Sequence, residues 1–114
     1  MLTLPEAVPI FVAVDAIDLR RSFDGLVRAT REVLGHEPQR GGLFLFFNRA
    51  NTHCKLLFWD RTGFVLLYKR LERGSFRLPR KADDGSTQLR ISARELATLL
   101  EGVIDTTQIE KERS

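Results

Sequence analysis

The sequence has few of the residues that build disulfide, metal and redox sites. Its 114 residues include one cysteine, Cys54, and two histidines, His36 and His53. One cysteine excludes an intramolecular disulfide and a thiolate metal cage, and two histidines alone make no zinc site. Neighbours on a strand point to opposite faces, which separates His53 from Cys54. We therefore predict no metal and no cofactor, a core position for Cys54, and solvated positions for both histidines.

Long apolar runs and leader-like features are also absent. No run approaches the roughly 18 apolar residues of a membrane-spanning helix. The stretch Met1–Glu6 lacks a basic region followed by a long apolar core, which predicts no signal peptide. Together with the single cysteine, these features favour the reducing cytoplasm and no membrane partner.

The acidic residues lack the spacing of a metal-dependent nuclease, which needs two or three carboxylates converging on Mg²⁺. Asp60 stands where a turn former is expected. The pair Gly41-Gly42 lacks the lysine and helix of a phosphate-binding loop. We predict no catalytic residues, and Mg²⁺-dependent cleavage would be the sign of a nuclease, our third hypothesis.

The composition is that of a single soluble domain. Hydrophobic residues make up 43% and charged residues 29% of the chain, and this length supports one hydrophobic core. We place the domain at residues 1–104 and a polar tail at residues 105–114. A net charge of +3 favours a polyanionic partner only where the cations cluster.

Three strand-like runs in the middle of the chain predict an antiparallel meander. They are Leu43–Phe47, Cys54–Trp59 and Phe64–Lys69. The tetrapeptide Asp60–Gly63 has the Asp and Gly positions of a type I turn. In the preceding loop, Asn48 or Asn51 is expected to be left-handed.

The first of these runs is apolar on both faces, so it must be covered twice. One cover is the first helix. The other is the C-terminal helix, a partner chain or a ligand.

Two helices and two further strands flank the meander. A strand at Val8–Val14 is predicted at the sheet edge, where Pro9 is tolerated. Asp15 or Asp18 is expected to cap a helix that runs to about Leu34.

A short strand at Thr87–Ile91 then leads into a second helix, which Ser92 and Glu95 cap as a capping box. That helix is expected to run to about Leu100 and to end at Gly102. The predicted fold is α+β, with a mainly antiparallel sheet of four to five strands flanked by two helices.

Cations concentrate on the first predicted helix and in the segment Lys69–Lys81. The helical arginines fall within an arc of about 100°, so they form either a solvated face paired with Asp24 or a phosphate-binding face. The later segment combines cations with Phe76, which suits nucleic acid, although its cations also suit a hairpin arm protected against edge pairing. The predicted nucleic-acid-binding residues are Arg20, Arg21, Arg28, Arg49, Lys69, Arg70, Arg73, Arg77, Arg80 and Lys81.

A second hypothesis is a protein-interaction adaptor. Under this hypothesis the chain docks on another protein, or on a second copy of itself, through Trp59, Tyr68 and Phe76. We interpret Trp59 as a core or interface residue rather than a stacking platform. Charge reversal in the cationic segment abolishes binding under the first hypothesis, whereas aromatic truncation matters more under the second.

Several motifs together resemble a known family. They are D-x-R-x-S-F-D-G-L at Asp18–Leu26, E-V-L-G at Glu32–Gly35, L-F-x-F-x-N-R at Leu43–Arg49, K-x-L-x-W-D-R-x-G-F at Lys55–Phe64, Y-K-R-L-E-x-G-x-F at Tyr68–Phe76 and E-L-x-x-L-L-E-G at Glu95–Gly102. In this order, and over nearly the whole chain, they are similar to the small accessory protein encoded by the second open reading frame of the bacterial insertion-sequence family sixty-six, its TnpB-type protein. The resemblance implies a non-catalytic role in transposition beside a separate, larger transposase. It supplies no catalytic residues.

Overall fold

The computed structural model describes residues 8–78 and 85–104. In these ranges the chain forms five strands and two α-helices. The strands are β1 (Ile10–Ala13), β2 (Leu43–Phe47), β3 (His53–Asp60), β4 (Gly63–Arg70) and β5 (Gln88–Ile91), and the helices are α1 (Phe23–Glu32) and α2 (Ala93–Glu101). A 3₁₀ turn at Pro38–Arg40 precedes β2. The predicted tail, residues 105–114, lies outside the described residues.

The five described strands form one sheet in the order β4-β3-β2-β1-β5. β1 and β2 are parallel, whereas the pairs β1–β5, β2–β3 and β3–β4 are antiparallel. For the described part of the chain, this confirms the α+β class, the mainly antiparallel sheet with two flanking helices, and the central meander.

β1 lies inside the sheet, so the prediction of an edge strand is wrong. Ile10 pairs with Leu43 on one side and with Ile91 on the other. Pro9 precedes the strand, and its carbonyl oxygen accepts a 2.9 Å hydrogen bond from the backbone N–H of Leu43. Because Pro9 lies before the first residue of the strand, its lack of an N–H removes no hydrogen bond from the ladder.

β2 is buried along its whole length, as its apolar sequence predicts. Phe44 and Phe46 pack on the side of α1, with Leu26. Phe47 packs on the other side, with Leu99 of α2. The second cover of this strand is therefore α2, together with the segment that follows β4. Each fully buried side chain of this size contributes about 1.5–3 kcal/mol.

α1 begins later than predicted, at Phe23, and Asp18 does not cap it. The Asp18 carboxylate instead accepts hydrogen bonds from the backbone N–H and the guanidinium Nε of Arg20, both 3.0 Å long. Ser22, with extended backbone, is the N-cap residue. Arg20 and Arg21 consequently precede the helix, so they do not share a helical face with the arginines of α1.

Two loops contain residues with a left-handed backbone. Asn51 has a φ of 57°, as predicted, and Arg61 has a φ of 52°. The Arg61 value excludes the predicted type I turn, which needs negative φ at both central residues. Asp60 and Gly63 instead close a two-residue hairpin, in which positive φ matches the twist of the strands.

α2 follows its sequence signals closely. The Ser92 hydroxyl oxygen accepts a 3.1 Å hydrogen bond from the N–H of Glu95, and the Glu95 carboxylate accepts a 3.0 Å bond from the N–H of Ser92. This is the predicted capping box. Gly102, with a φ of 76°, ends the helix.

Candidate nucleic-acid interface

An aromatic ring and a lysine face each other on the α1 side of the β3–β4 ladder. Lys55 of β3 lies directly opposite Tyr68 of β4, and its Nζ atom is 5.4 Å from the centroid of the tyrosine ring. The His53 ring, on the same face of β3, has its centroid 5.9 Å from that of Tyr68. Tyr68 remains 57% exposed. The ring is therefore held by two neighbours and still faces solvent.

Lys55 also contacts the segment that leads into α1. Its Nζ atom donates a 3.3 Å hydrogen bond to the backbone carbonyl oxygen of Arg21. Arg21 is exposed. The Lys55 ammonium and the Arg21 backbone, 34 residues apart in sequence, are thus adjacent in the fold.

A third cation, Arg70, lies two residues beyond Tyr68 on the same face of β4 and opposite His53. Its guanidinium is 3.4 Å from the Glu72 carboxylate, and both side chains are exposed. Such a pair contributes little, so it leaves Arg70 accessible to an anion. We call the group Arg21, Lys55, Tyr68 and Arg70 the Tyr68 surface.

The His53 side chain is fixed by the β2–β3 loop. Its Nδ1 atom lies 2.8 Å from Thr52 Oγ1 and 3.2 Å from Asn48 Nδ2. The backbone N–H groups of Thr52 and His53 donate to Asn48 Oδ1, each at 2.9 Å. His53 is half-buried, so the prediction of a solvated residue is wrong.

His36 is also half-buried rather than solvated. Its ring stacks on Phe11, with centroids 4.1 Å apart. Its Nε2 atom is buried without a hydrogen-bond partner. The ring is stacked and its Nε2 atom is buried because His36 lies beside β1. The sequence did not indicate that position.

Arg20 forms a salt bridge with an acid. Its Nη2 atom lies 2.9 Å from an Asp18 carboxylate oxygen. The hydrogen bonds from Arg20 lower the pKa of Asp18 to about 2, and they raise the pKa of the guanidinium. The Arg20 guanidinium makes three hydrogen bonds to Asp18, so this pair is tighter than the single 3.4 Å contact between Arg70 and Glu72.

In the part of the chain that the structure describes, the arginines of α1 do not pair with Asp24 as the solvated-face alternative expected. Arg31 forms a 2.7 Å salt bridge to Glu37, in the loop after the helix, rather than to Asp24. No salt bridge joins Asp24 to Arg28 in the described ranges. Arg28 is exposed on the helix surface.

The part of the predicted cationic arm that the structure describes packs against the domain. The N–H of Leu71 donates a 3.0 Å hydrogen bond to the Thr52 carbonyl oxygen, and the N–H of Phe76 donates a 2.6 Å bond to that of Asn51. Ser75 and Val103 form an antiparallel bridge through bonds of 3.1 and 2.9 Å. The segment thus closes the α2 side of the sheet.

Phe76 belongs to the core, so its assignment to a partner interface is corrected. Only 1% of its surface is exposed, and its ring packs edge-on against Phe47 with centroids 5.3 Å apart. Trp59 is half-buried and packs edge-on against Phe64 at 4.9 Å. Of the three predicted interface aromatics, only Tyr68 is exposed.

The other predicted cations lie away from the Tyr68 surface. The Lys69 Nζ atom donates a 2.6 Å hydrogen bond to the Leu100 carbonyl oxygen of α2. Arg77 lines a groove of about 480 Å³ that is also lined by Arg94 and Leu99 of α2. The fold therefore separates Lys69 and Arg77 from Arg70, although they are close in sequence.

Arg49 and Arg73 are both exposed. Arg49 lies in the β2–β3 loop and lines a small cavity of about 200 Å³ with Asp15 and Leu78. Arg73 lies in the docked segment after β4. Arg80 and Lys81 lie outside the described residues.

Sequence reasoning missed Lys55 and His53 as members of this region. The available signal was the hairpin register. Counting back from the Asp60–Gly63 pair places Lys55 opposite Tyr68, because antiparallel partners on the two strands advance one residue at a time.

The one cysteine is a buried free thiol. Burial raises the pKa of the Cys54 thiol to about 12, which keeps it protonated and a poor nucleophile. Among the described residues, no group of three or more His, Cys, Asp or Glu side chains is placed to hold a metal ion. None of the helices in the described ranges is long and apolar enough to cross a membrane.

Comparisons with known proteins place the chain in a family. It matches the model of the family described as IS66 Orf2 like protein over residues 8–111. It is 35% identical over 103 residues to the uncharacterized protein y4hO of Sinorhizobium fredii (strain NBRC 101917 / NGR234), covering 90% of this chain and 87% of that protein. It is 32% identical over 111 residues to the uncharacterized protein y4jC of the same strain, covering 97% and 92%. No solved structure gave a significant match. The chain therefore belongs to the IS66 Orf2-like family of insertion-sequence accessory proteins, consistent with an accessory role in transposition.

Proposed function

We propose that this protein is a non-catalytic accessory factor that binds nucleic acid, DNA in the first place, during transposition. The observation that carries the proposal is the hydrogen bond from Lys55 to the Arg21 carbonyl oxygen, which joins two cationic segments at one surface. Phosphate oxygens are the natural partners of such a group. The element-encoded transposase acts beside it, and the activity belongs in the bacterial cytoplasm.

The cations of the Tyr68 surface are the primary phosphate contacts in this proposal. Arg21 and Arg70 are exposed, and Lys55 is half-buried with its ammonium at the surface of the ladder. Arg28, Arg49 and Arg73, which are exposed, add secondary contacts. Arg80 and Lys81 lie outside the described residues and stay predicted phosphate contacts. Arg20 contributes less because it is paired with Asp18, and Lys69 and Arg77 contribute less because they lie towards α2.

Binding of this kind has a characteristic dependence on salt. Each neutralised phosphate releases condensed counterions, so the logarithm of the association constant falls with the logarithm of salt concentration, by about 0.9 per contact. Three contacts give a slope of about −3. Phosphate contacts carry no direct sequence information, so we expect weak dependence on sequence.

Fluorescence anisotropy tests the proposal. Two labelled duplexes, one with a sequence from the end of the insertion element and one with a scrambled sequence, are titrated with protein between about 50 and 200 mM salt. The double variant Lys55→Gln/Arg70→Gln should weaken binding to both duplexes and reduce the slope by about two. Its matched control is Arg90→Gln/Arg94→Gln, which removes two exposed arginines from β5 and α2 and should have a much smaller effect. Equal effects of the two double variants, with both folded by circular dichroism, would contradict the proposal.

A second candidate function is a protein-interaction adaptor that docks on the transposase or on a second copy of the chain. The observation that favours it is the edge of β4, where Leu67 is 50% exposed and Tyr68 57% exposed. Among the described strands, only β3 pairs with β4, so an added strand could extend the sheet there.

Pull-down of the transposase at raised salt tests the adaptor. Leu67→Lys should abolish capture because it places a charge in the apolar contact, whereas Lys55→Gln/Arg70→Gln should leave capture intact. The reverse pattern would favour nucleic-acid binding.

A further inference from the structure

We propose that Tyr68 is a stacking platform for unpaired bases, so that the Tyr68 surface prefers single-stranded nucleic acid to duplex. This rests on the proposed function, because it takes phosphate binding by the surrounding cations as given.

The tyrosine ring is exposed and also held in place. More than half of its surface is accessible, while Lys55 lies directly across the ladder and the His53 ring lies diagonally beside it. Hydrogen bonds from the β2–β3 loop fix His53 in turn. A fixed, exposed ring can stack on a base without first losing conformational freedom, and every base offers a flat face to it.

Two cations adjoin this ring. Arg70 is the next residue on the same face of β4, about 7 Å further along the strand. The Lys55 ammonium lies over one face of the ring, 5.4 Å from its centroid, and is bonded to the Arg21 carbonyl oxygen. A base would stack on the opposite face, with Lys55 and Arg70 available to its flanking phosphates. Glu72, which is 3.4 Å from Arg70, is the acid that competes for this end of the surface.

The ring has no comparable use on duplex DNA. In a double helix the base faces are stacked on one another, so a side-chain ring can contact the backbone and the base edges in a groove but cannot stack on a base face. Trp59 does not provide a second platform, since it is half-buried against Phe64. Tyr68 should therefore add affinity for single strands and very little for duplex.

Anisotropy with a labelled oligothymidine of about 12 nucleotides and a duplex of equal length tests this inference. Tyr68→Ala should weaken single-strand binding about 5- to 150-fold, and should change duplex binding less than about twofold. Tyr68→Phe should retain single-strand binding, because it keeps the ring. The control Leu67→Ala truncates the exposed neighbour on the opposite face of β4 and should change neither affinity.

The outcomes separate this inference from the proposed function. Binding of neither probe by the wild-type protein would overturn both. Equal loss on both probes, or no loss in Tyr68→Ala with duplex binding intact, would overturn the stacking platform alone. If Tyr68→Ala fails to fold by thermal melting, Tyr68→Leu serves in its place and carries the same expectation. A ribose version of the oligonucleotide shows whether the surface takes RNA as well as DNA.

Discussion

Lys55 reaches across the fold to Arg21, donating a 3.3 Å hydrogen bond from its ammonium group to the backbone carbonyl oxygen of that residue. Because the same ammonium lies 5.4 Å from the Tyr68 ring centroid, one side chain connects the entry to α1, the strand β3 and the edge strand β4. Lys55 therefore contributes to the stability of the fold whether or not a ligand is bound.

We predict that Lys55→Met lowers the free energy of unfolding by about 1–2 kcal/mol. The variant loses one hydrogen bond and one cation–π contact, each contributing about 0.5–1.5 kcal/mol. Urea denaturation measures the change. Arg94→Met, at an exposed position on α2, is the control and should stay within about 0.5 kcal/mol of wild type. A change at Lys55 no larger than the control would show that the ammonium contacts contribute nothing.

Arg70 and Arg77, seven positions apart, should differ in their effect on nucleic-acid binding. Arg70 lies beside Tyr68, whereas Arg77 lines the groove against α2. We expect Arg70→Glu to weaken duplex binding by about tenfold or more at low salt, and Arg77→Glu to weaken it by no more than about threefold. Anisotropy titrations measure both. Equal weakening would mean that the segment after β4 acts as one cationic arm, as its sequence alone indicates.

Gly74 should tolerate a side chain less well than Gly35. Both have a left-handed φ, 74° and 71°, which costs a residue with a Cβ about 1–2 kcal/mol. An added Cβ at Gly74 would also clash with the Val103 carbonyl oxygen, whereas one at Gly35 meets nothing within 4 Å. Gly74→Ala should therefore destabilise the protein by clearly more than Gly35→Ala in thermal or urea unfolding. Similar losses would show that the Ser75–Val103 bridge yields easily.

Asp18 should titrate far below an ordinary aspartate. Hydrogen bonds from Arg20 lower its pKa from 3.8 to about 2 in the folded protein. Because the folded pKa is the lower one, the pair stabilises the fold above about pH 3.8, and that contribution is lost as the pH falls towards 2. Carbon-detected NMR of the carboxyl group should show the midpoint rising towards 3.8 in Arg20→Gln. Arg28→Gln should leave it unchanged, and an unshifted midpoint in Arg20→Gln would contradict the pairing.

Local sequence was enough to predict several elements because their signals lie within a few residues. The capping box of Ser92 and Glu95 needs only one turn of helix, and it formed as expected. Leu43–Phe47 is apolar at every position, which predicted a strand covered on both faces. The left-handed backbone of Asn51 follows from the tolerance of asparagine for that region.

Tertiary structure decided the features that depend on distant partners. Sequence did not place β1 between β2 and β5, because strand pairing depends on which backbone edges meet after loop closure. Nor did it reveal that Phe76 is buried, because that burial needs α2 and the Ser75–Val103 bridge to close over the sheet.

The same division applies to the candidate site. Local patterns along the chain were sufficient to predict the fold class, most of the element types and the presence of concentrated cations. Which cations share a surface depends on the folded chain, since alternation along β4 sends Arg70 and Lys69 to opposite faces and the hairpin register brings Lys55 beside Tyr68. Periodicity and capping are set by neighbours along the chain, whereas a binding surface is set by contacts between segments that are far apart in it.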